Sequence, residues 1–170
     1  MQFATKARAL RLAGALVAVL AIAACAKNDP MSLAGADAGY AATAGYAAPG
    51  SQQDFVVNVG DRVFFESDSV ELTPTAQATL DKQARWLQQY NHYAFTIEGH
   101  ADERGTREYN FALGSQRAEA TKNYLVARGI SPARMHTVSY GKERPVAVCN
   151  DISCWSQNRR AVTVLGGGQS

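Results

Sequence analysis

Long hydrophobic runs are scarce in this chain of 170 residues. The one that stands out, Leu12 to Ala23, is about a dozen residues long and too short to span a bilayer comfortably. An excess of one charge is missing too: 17 Lys and Arg stand against 15 Asp and Glu, for a net +2, and part of that sits in the first dozen positions. A basic field of the kind that nucleic-acid binding requires is therefore excluded. No nucleophile elbow appears, which removes the commonest local signature of a serine hydrolase. Cysteine is limited to Cys25, Cys149 and Cys154.

What is there begins with an export signal. Lys6, Arg8 and Arg11 form a basic front, the apolar run follows, and it closes on Ile22-Ala23-Ala24-Cys25. That ending resembles a bacterial lipobox, so residues 1–24 are expected to be removed and Cys25 to be acylated. An ordinary secretory signal cut after Ala24, or a short retained anchor, is the competing reading. Acyl chains add about 0.8 kcal/mol per buried methylene, so the several chains usual in lipoproteins hold firmly. Ala26 follows Cys25 rather than an aspartate of the inner-membrane kind, which by the same resemblance favours the outer membrane.

From Ala26 to about Gln53 the composition turns to Ala, Gly, Ser and Pro, with few large apolar groups beyond Met31, Leu33, Tyr40 and Tyr46. Such a stretch cannot bury enough surface to fold and reads as a disordered tether, residues 25–53 with the cysteine. Its root-mean-square span would be roughly 30 Å.

Residues 54–166 suffice for one domain, with 167–170 as a loose tail. A strand is expected over Asp61 to Phe65 and a polar turn over Glu66 to Ser69. Thr73 as N-cap and Pro74 at the first helical position then start a helix running to about Tyr90. Ala76, Leu80, Ala84 and Leu87 keep helical spacing along it, and Trp86 reads as packing. A strand over Ala94 to Gly99, a long helix from about Thr106 capped by Gly129, and a strand over Met135 to Tyr140 follow. One or two helical turns over Ser153 to Asn158 and a strand over Ala161 to Leu165 complete the order. Strands alternating with helices in this way indicate an α/β (α+β) two-layer sandwich, helices packed on a small sheet.

The stretch from Phe95 to Arg128 carries the chemistry. A charged loop containing His100, Asp102, Glu103 and Arg104 joins a strand end to a helix start, a place where binding groups are commonly displayed. On the helix, Gly114, Ala118, Thr121 and Leu125 form one buried stripe, and Asn110, Leu113 and Arg117 a flanking row at the edge of the core. Asp102 and Arg117 would then line a pocket with one negative and one positive wall, suited to a zwitterion, or else pair with each other as a structural salt bridge. The alternative of a hydrolase or metal-assisted enzyme built on His100 and Asp102 requires those two side chains to converge. A disulfide between Cys149 and Cys154 would fix the loop around Asp151 and Trp155, whereas zinc is poorly served by two cysteines with His136 as the nearest histidine.

The run Gly99-His100-Ala101-Asp102-Glu103-Arg104-Gly105-Thr106, with Glu108-Tyr109-Asn110, Leu113-Gly114 and Arg117-Ala118, resembles the signature of the OmpA-like peptidoglycan-binding domain. Val138-Ser139-Tyr140-Gly141 and Asn158-Arg159-Arg160-Ala161-Val162 extend the likeness over most of Asp54 to Leu165. The resemblance implies a mixed sheet of about four strands and non-covalent binding of the peptidoglycan stem peptide through meso-diaminopimelate. It maps the family's ligand-binding aspartate onto Asp102 and its arginine onto Arg117, with Asp68, Arg104 and Leu113 around the ligand and Phe65 and Asn110 nearby. A carboxylate accepts from the ligand's ammonium, and a guanidinium fork matches its carboxylate. No cofactor and no metal are implied. The partners implied are peptidoglycan, the Tol proteins TolB and TolA, and the outer membrane through the lipid. The implied role is to link outer membrane and wall, maintaining the envelope and its constriction at division. Glu66 and Ser67 depart from the family's usual glycine and phenylalanine, Gln116 replaces a common arginine, and the cysteine pair is an addition. A barrel anchor or a flagellar stator would need preceding strands or a retained membrane helix, and the chain shows neither.

Overall fold

The computed structural model describes residues 47–166. The expected signal, the lipobox with Cys25, the tether up to residue 46 and the tail 167–170 lie outside the described residues.

A short helical start, α1 (Gln52–Asp54), passes directly into a π-helical turn over Phe55–Gly60. Strand β1 (Arg62–Phe64), helix α2 (Pro74–Gln89) and strand β2 (Phe95–His100) follow. Helix α3 (Arg107–Ala127), strand β3 (Met135–Gly141), helix α4 (Ile152–Asn158) and strand β4 (Arg160–Leu165) complete the order. The sheet runs β1-β4-β2-β3. β4 lies antiparallel to both β1 and β2, while β2 and β3 are parallel, as the intervening α3 allows. The sheet is thus mixed and four-stranded, as the resemblance implies.

The caps form where the sequence puts them. Thr73 accepts from the Ala76 amide, Thr106 from the Tyr109 amide, and each sits in extended backbone just before its helix. At the far end of α3, Gly129 takes φ +89° and the Ile130 amide reaches back to the Leu125 carbonyl, closing the last turn. The core fills the space between the sheet and helices α2 and α3, with Phe55, Leu80, Leu87, Phe95, Ile97 and Leu125 almost wholly buried and Trp86 beside them.

The fold starts earlier than residue 54. Ser51 caps α1, the Gly50 carbonyl accepts from the Tyr93 hydroxyl, and Asp54 takes the Trp86 indole N–H at 2.8 Å. Composition concealed this, because polar and backbone contacts hold the segment rather than apolar side chains of its own. Among the described residues no helix is long and apolar enough to cross a membrane.

Candidate functional site

Asp102 stands two residues beyond β2, in the loop that feeds α3. That loop is fixed on several sides. The Ala101 amide donates to Gly141, Asn110 on α3 donates to the carbonyls of Arg104 and Thr106, and Lys142 donates to those of Glu103 and Gly105. Gly105 at φ +82° makes the turn toward the helix.

The Asp102 carboxylate is 7 % exposed and doubly held. Arg104 donates through Nε to Oδ1 at 3.1 Å and through Nη2 to Oδ2 at 2.7 Å, and its backbone amide adds a third bond. Arg159, just before β4, donates to Oδ2 at 3.3 Å. Burial alone would raise this carboxyl, but the bonds from Arg104 and Arg159 outweigh it and hold the group below the usual carboxylate range. Asp102 is ionised at neutral pH.

Arg117 differs from its expected place at the edge of the core, because its side chain is completely buried. Nε donates to the Ser69 carbonyl, Nη1 to that of His100 and Nη2 to that of Glu66, while the Phe65 ring lies 5.2 Å from the guanidinium carbon. One side chain therefore ties the first loop, residues 66–69, to the end of β2. Burial, then repulsion from Arg159, brings its pKa down to about 10, with Asp102 and Asp68 opposing. Asp102 and Arg117 do not pair with each other as a salt bridge, yet they share one electrostatic neighbourhood.

The other site residues gather here. Asp68 adopts φ +54° and accepts from the Tyr109 hydroxyl at 3.4 Å. Leu113 is buried on α3 between Asn110 and Arg117, and Asn110 is a brace for the loop, its amide turned onto backbone carbonyls. Three guanidiniums (Arg104, Arg117, Arg159) thus stand among three carboxylates (Asp68, Asp102, Glu103), so the charges of the cluster balance.

Sequence reasoning missed three of these participants. Arg159 was visible only as part of the Asn158-Arg159-Arg160 run, and spacing gives no reason to bury an arginine at 4 % exposure. Ser67 accepts from Arg104 at 2.8 Å. Trp155 on α4 lies under Arg104, ring centroid 4.4 Å from the guanidinium carbon, with its indole N–H donated to Glu103. Cys149 and Cys154 are joined as a disulfide at the start of α4, their Cα atoms 5.7 Å apart.

His100 does not converge with Asp102. Its ring is buried, stacked 5.5 Å from Tyr140, and neither nitrogen has a hydrogen-bond partner; the nearest carboxylate, Glu98, is 3.6 Å away and too far to bond. Burial, then Arg160 and Arg144, lower its pKa to about 4, so it is neutral. Among the described residues no group of three or more His, Cys, Asp or Glu is arranged to hold a metal. A cavity of about 620 Å³ opens between β1, the start of α2 and α4; it shares Phe65, Glu66 and Arg159 with the site but is not lined by Asp102 or Arg117.

Comparison with known proteins covers the same region. A family model described as "OmpA family" matches residues 64–159. The chain is 66 % identical over 158 residues to a peptidoglycan-associated lipoprotein of Rhizobium meliloti, covering 92 % of this chain and 88 % of the relative. It is 60 % identical over 153 residues to the peptidoglycan-associated lipoprotein of Agrobacterium fabrum, covering 90 % and 86 %. Among solved structures, the peptidoglycan-associated lipoprotein of Burkholderia pseudomallei superposes with a TM-score of 0.64 at 39 % identity, over 68 % of this chain and all of that one. The C-terminal domain of Helicobacter pylori MotB shares the fold, with a TM-score of 0.59 at 19 % identity over 63 % and 84 %.

Proposed function

The chain belongs to the OmpA family, among its peptidoglycan-associated lipoproteins, and from that premise we propose that it binds peptidoglycan non-covalently through the meso-diaminopimelate of the stem peptide. The observation that carries this reading is the ionised, nearly buried Asp102 carboxylate set among Arg104, Arg117 and Arg159. An ammonium and a carboxylate on one carbon fit such a cluster. The ammonium goes to Asp102, and the carboxylate goes to the partly exposed Arg104 guanidinium.

The two arginines divide the work. Arg117 has each nitrogen already donating to a carbonyl, so its share is to hold the 66–69 loop against the end of β2 and to contribute its field. Arg104 is partly exposed and meets the ligand directly. Asp68, Phe65, Leu113 and Asn110 shape the walls around them.

In the cell the domain sits in the periplasm, held to the outer membrane by acylated Cys25 through the tether. TolB and TolA are its partners, and together they link membrane to wall during constriction. Tethering one end raises the effective concentration of the other at its target, so both attachments are held at once. Pull-down of the full chain with purified peptidoglycan tests the reading. Retention by the wild type and loss on Asp102→Asn support it; equal retention of the two removes Asp102 from the site.

A further inference from the structure

Arg104 holds a restrained position without being buried. One edge of its guanidinium is spent on Asp102 through Nε and Nη2, and Nη2 also reaches the Ser67 hydroxyl. Among the described residues Nη1 has no protein partner, and 42 % of the side chain is open to water. An arginine nitrogen without a protein partner, on a partly exposed side chain beside an ionised aspartate, can donate to a carboxylate, provided the guanidinium stays put. Arginine side chains carry considerable rotamer freedom, so something must remove it.

We propose that Trp155 is the positioning residue that fixes Arg104, so that its unspent Nη1 edge is presented to the carboxylate of a zwitterionic ligand whose ammonium goes to Asp102. The indole covers the guanidinium face at 4.4 Å while Asp102 holds one edge, which confines the plane of the group in two directions. Trp155 is itself held twice. Its N–H is donated to Glu103, next to Asp102, and its backbone belongs to α4, whose start is closed by the Cys149–Cys154 bridge and capped by Asp151. At the other end of α4, Asn158 accepts from the Val146 and Ala147 amides and donates to the Ala147 carbonyl, tying the same loop back on itself. The loop from Val146 to Asn158 therefore acts on the binding site through one aromatic ring. This inference rests on the ligand reading above.

The test titrates the full chain, purified in detergent, with a soluble stem peptide containing meso-diaminopimelate. Trp155→Ala is expected to weaken binding roughly two- to fivefold, the scale of a lost cation–π contact. Trp155→Phe, which keeps a stacking face and loses the N–H, falls between. Arg104→Ala costs at least as much, and adding Trp155→Ala to it costs nothing more, since Trp155 acts only through Arg104. Independent losses that multiply, or unchanged binding in Trp155→Ala, overturn the proposal. A ligand-free reading separates it from the function itself: the Arg104 Nε–H resonance should be protected from exchange in the wild type and exposed in Trp155→Ala. If that resonance behaves as stated but the peptide does not bind, the ligand assignment fails and the positioning role stands. If Trp155→Ala does not melt cooperatively, Trp155→Phe and the Cys149→Ser/Cys154→Ser pair carry the same comparisons.

Discussion

Gly99 on β2 and Gly114 on α3 meet backbone against backbone. A Cβ placed on Gly99 would overlap the Gly114 carbonyl, and one on Gly114 would strike the Ser139 hydroxyl and the Gly99 carbonyl. The helix carrying Arg117 therefore approaches the sheet as closely as the chain allows. Gly99→Ala is expected to destabilise by on the order of 3 kcal/mol, because the opposing atoms are backbone and cannot turn aside. Urea denaturation of the full chain measures it, and a loss under about 1 kcal/mol would show that the helix shifts freely.

Asp102 and Arg117 should respond differently to substitution. Arg117→Ala strands the carbonyls of Glu66, Ser69 and His100, which predicts a loss of about 3 kcal/mol or more and a lowered melting temperature along with lost wall binding. Asp102→Asn keeps the shape but leaves one acceptor oxygen of two and turns an amide N–H toward arginine donors, so binding is lost while melting falls by less than in Arg117→Ala. Thermal melting alongside peptidoglycan pull-down separates the two; matched melting losses would mean that both residues are structural.

His100 makes stability depend on pH. Its folded pKa of about 4 lies below the ordinary 6.5, so the unfolded chain binds more protons between those values and stability rises with pH across that window. The contribution is complete above about 6.5 and is lost toward pH 4, amounting to roughly 3 kcal/mol at the lower limit. Glu98, Tyr140, Arg144 and Arg160 are the groups that face it. His100→Phe should flatten this window in denaturation curves taken from pH 7 to pH 4. Asp102, whose carboxyl is depressed, gives up its own contribution only below about pH 4, so the two are distinguishable.

Removing the bridge by Cys149→Ser/Cys154→Ser should cost about 2 kcal/mol, the entropy of closing so short a loop. The loss should appear as a lower melting temperature with the sheet and α3 retained. Unchanged melting would mean that Asp151 and Asn158 hold the turn without it.

Most of the architecture was legible because local rules and the final packing agree. Thr73-Pro74, Thr106 and Gly129 mark helix ends at which the caps do form, and the stripe Gly114, Ala118, Thr121, Leu125 is the buried face of α3. That Asp102 and Arg117 are near neighbours was legible, but the part each plays was not. Spacing places an arginine on the flank of a helix; it does not reveal that three carbonyls from distant segments will converge on it. Arg159 and Trp155 were hidden for the same reason, since Arg159 reaches the cluster from the junction of α4 and β4 and Trp155 from α4, across many residues of chain. The attachment of residues 50–54 was not legible because their anchors, Tyr93 and Trp86, belong to another part of the sequence.

The attachment of Gly50 and Gln52 beside Tyr93 and Leu165 puts the entry of the chain at the Phe95 end of β2, whereas Asp102 follows its His100 end. Tension between a membrane holding the first point and a wall holding the second would run lengthwise along β2, over about 20 Å of strand. Because β2 is central, flanked by β4 and β3, its ladders on both sides would bear that load in shear, all at once instead of rung by rung. For the linking role proposed above, such a strand has the advantage that it must slide against both neighbours before it yields.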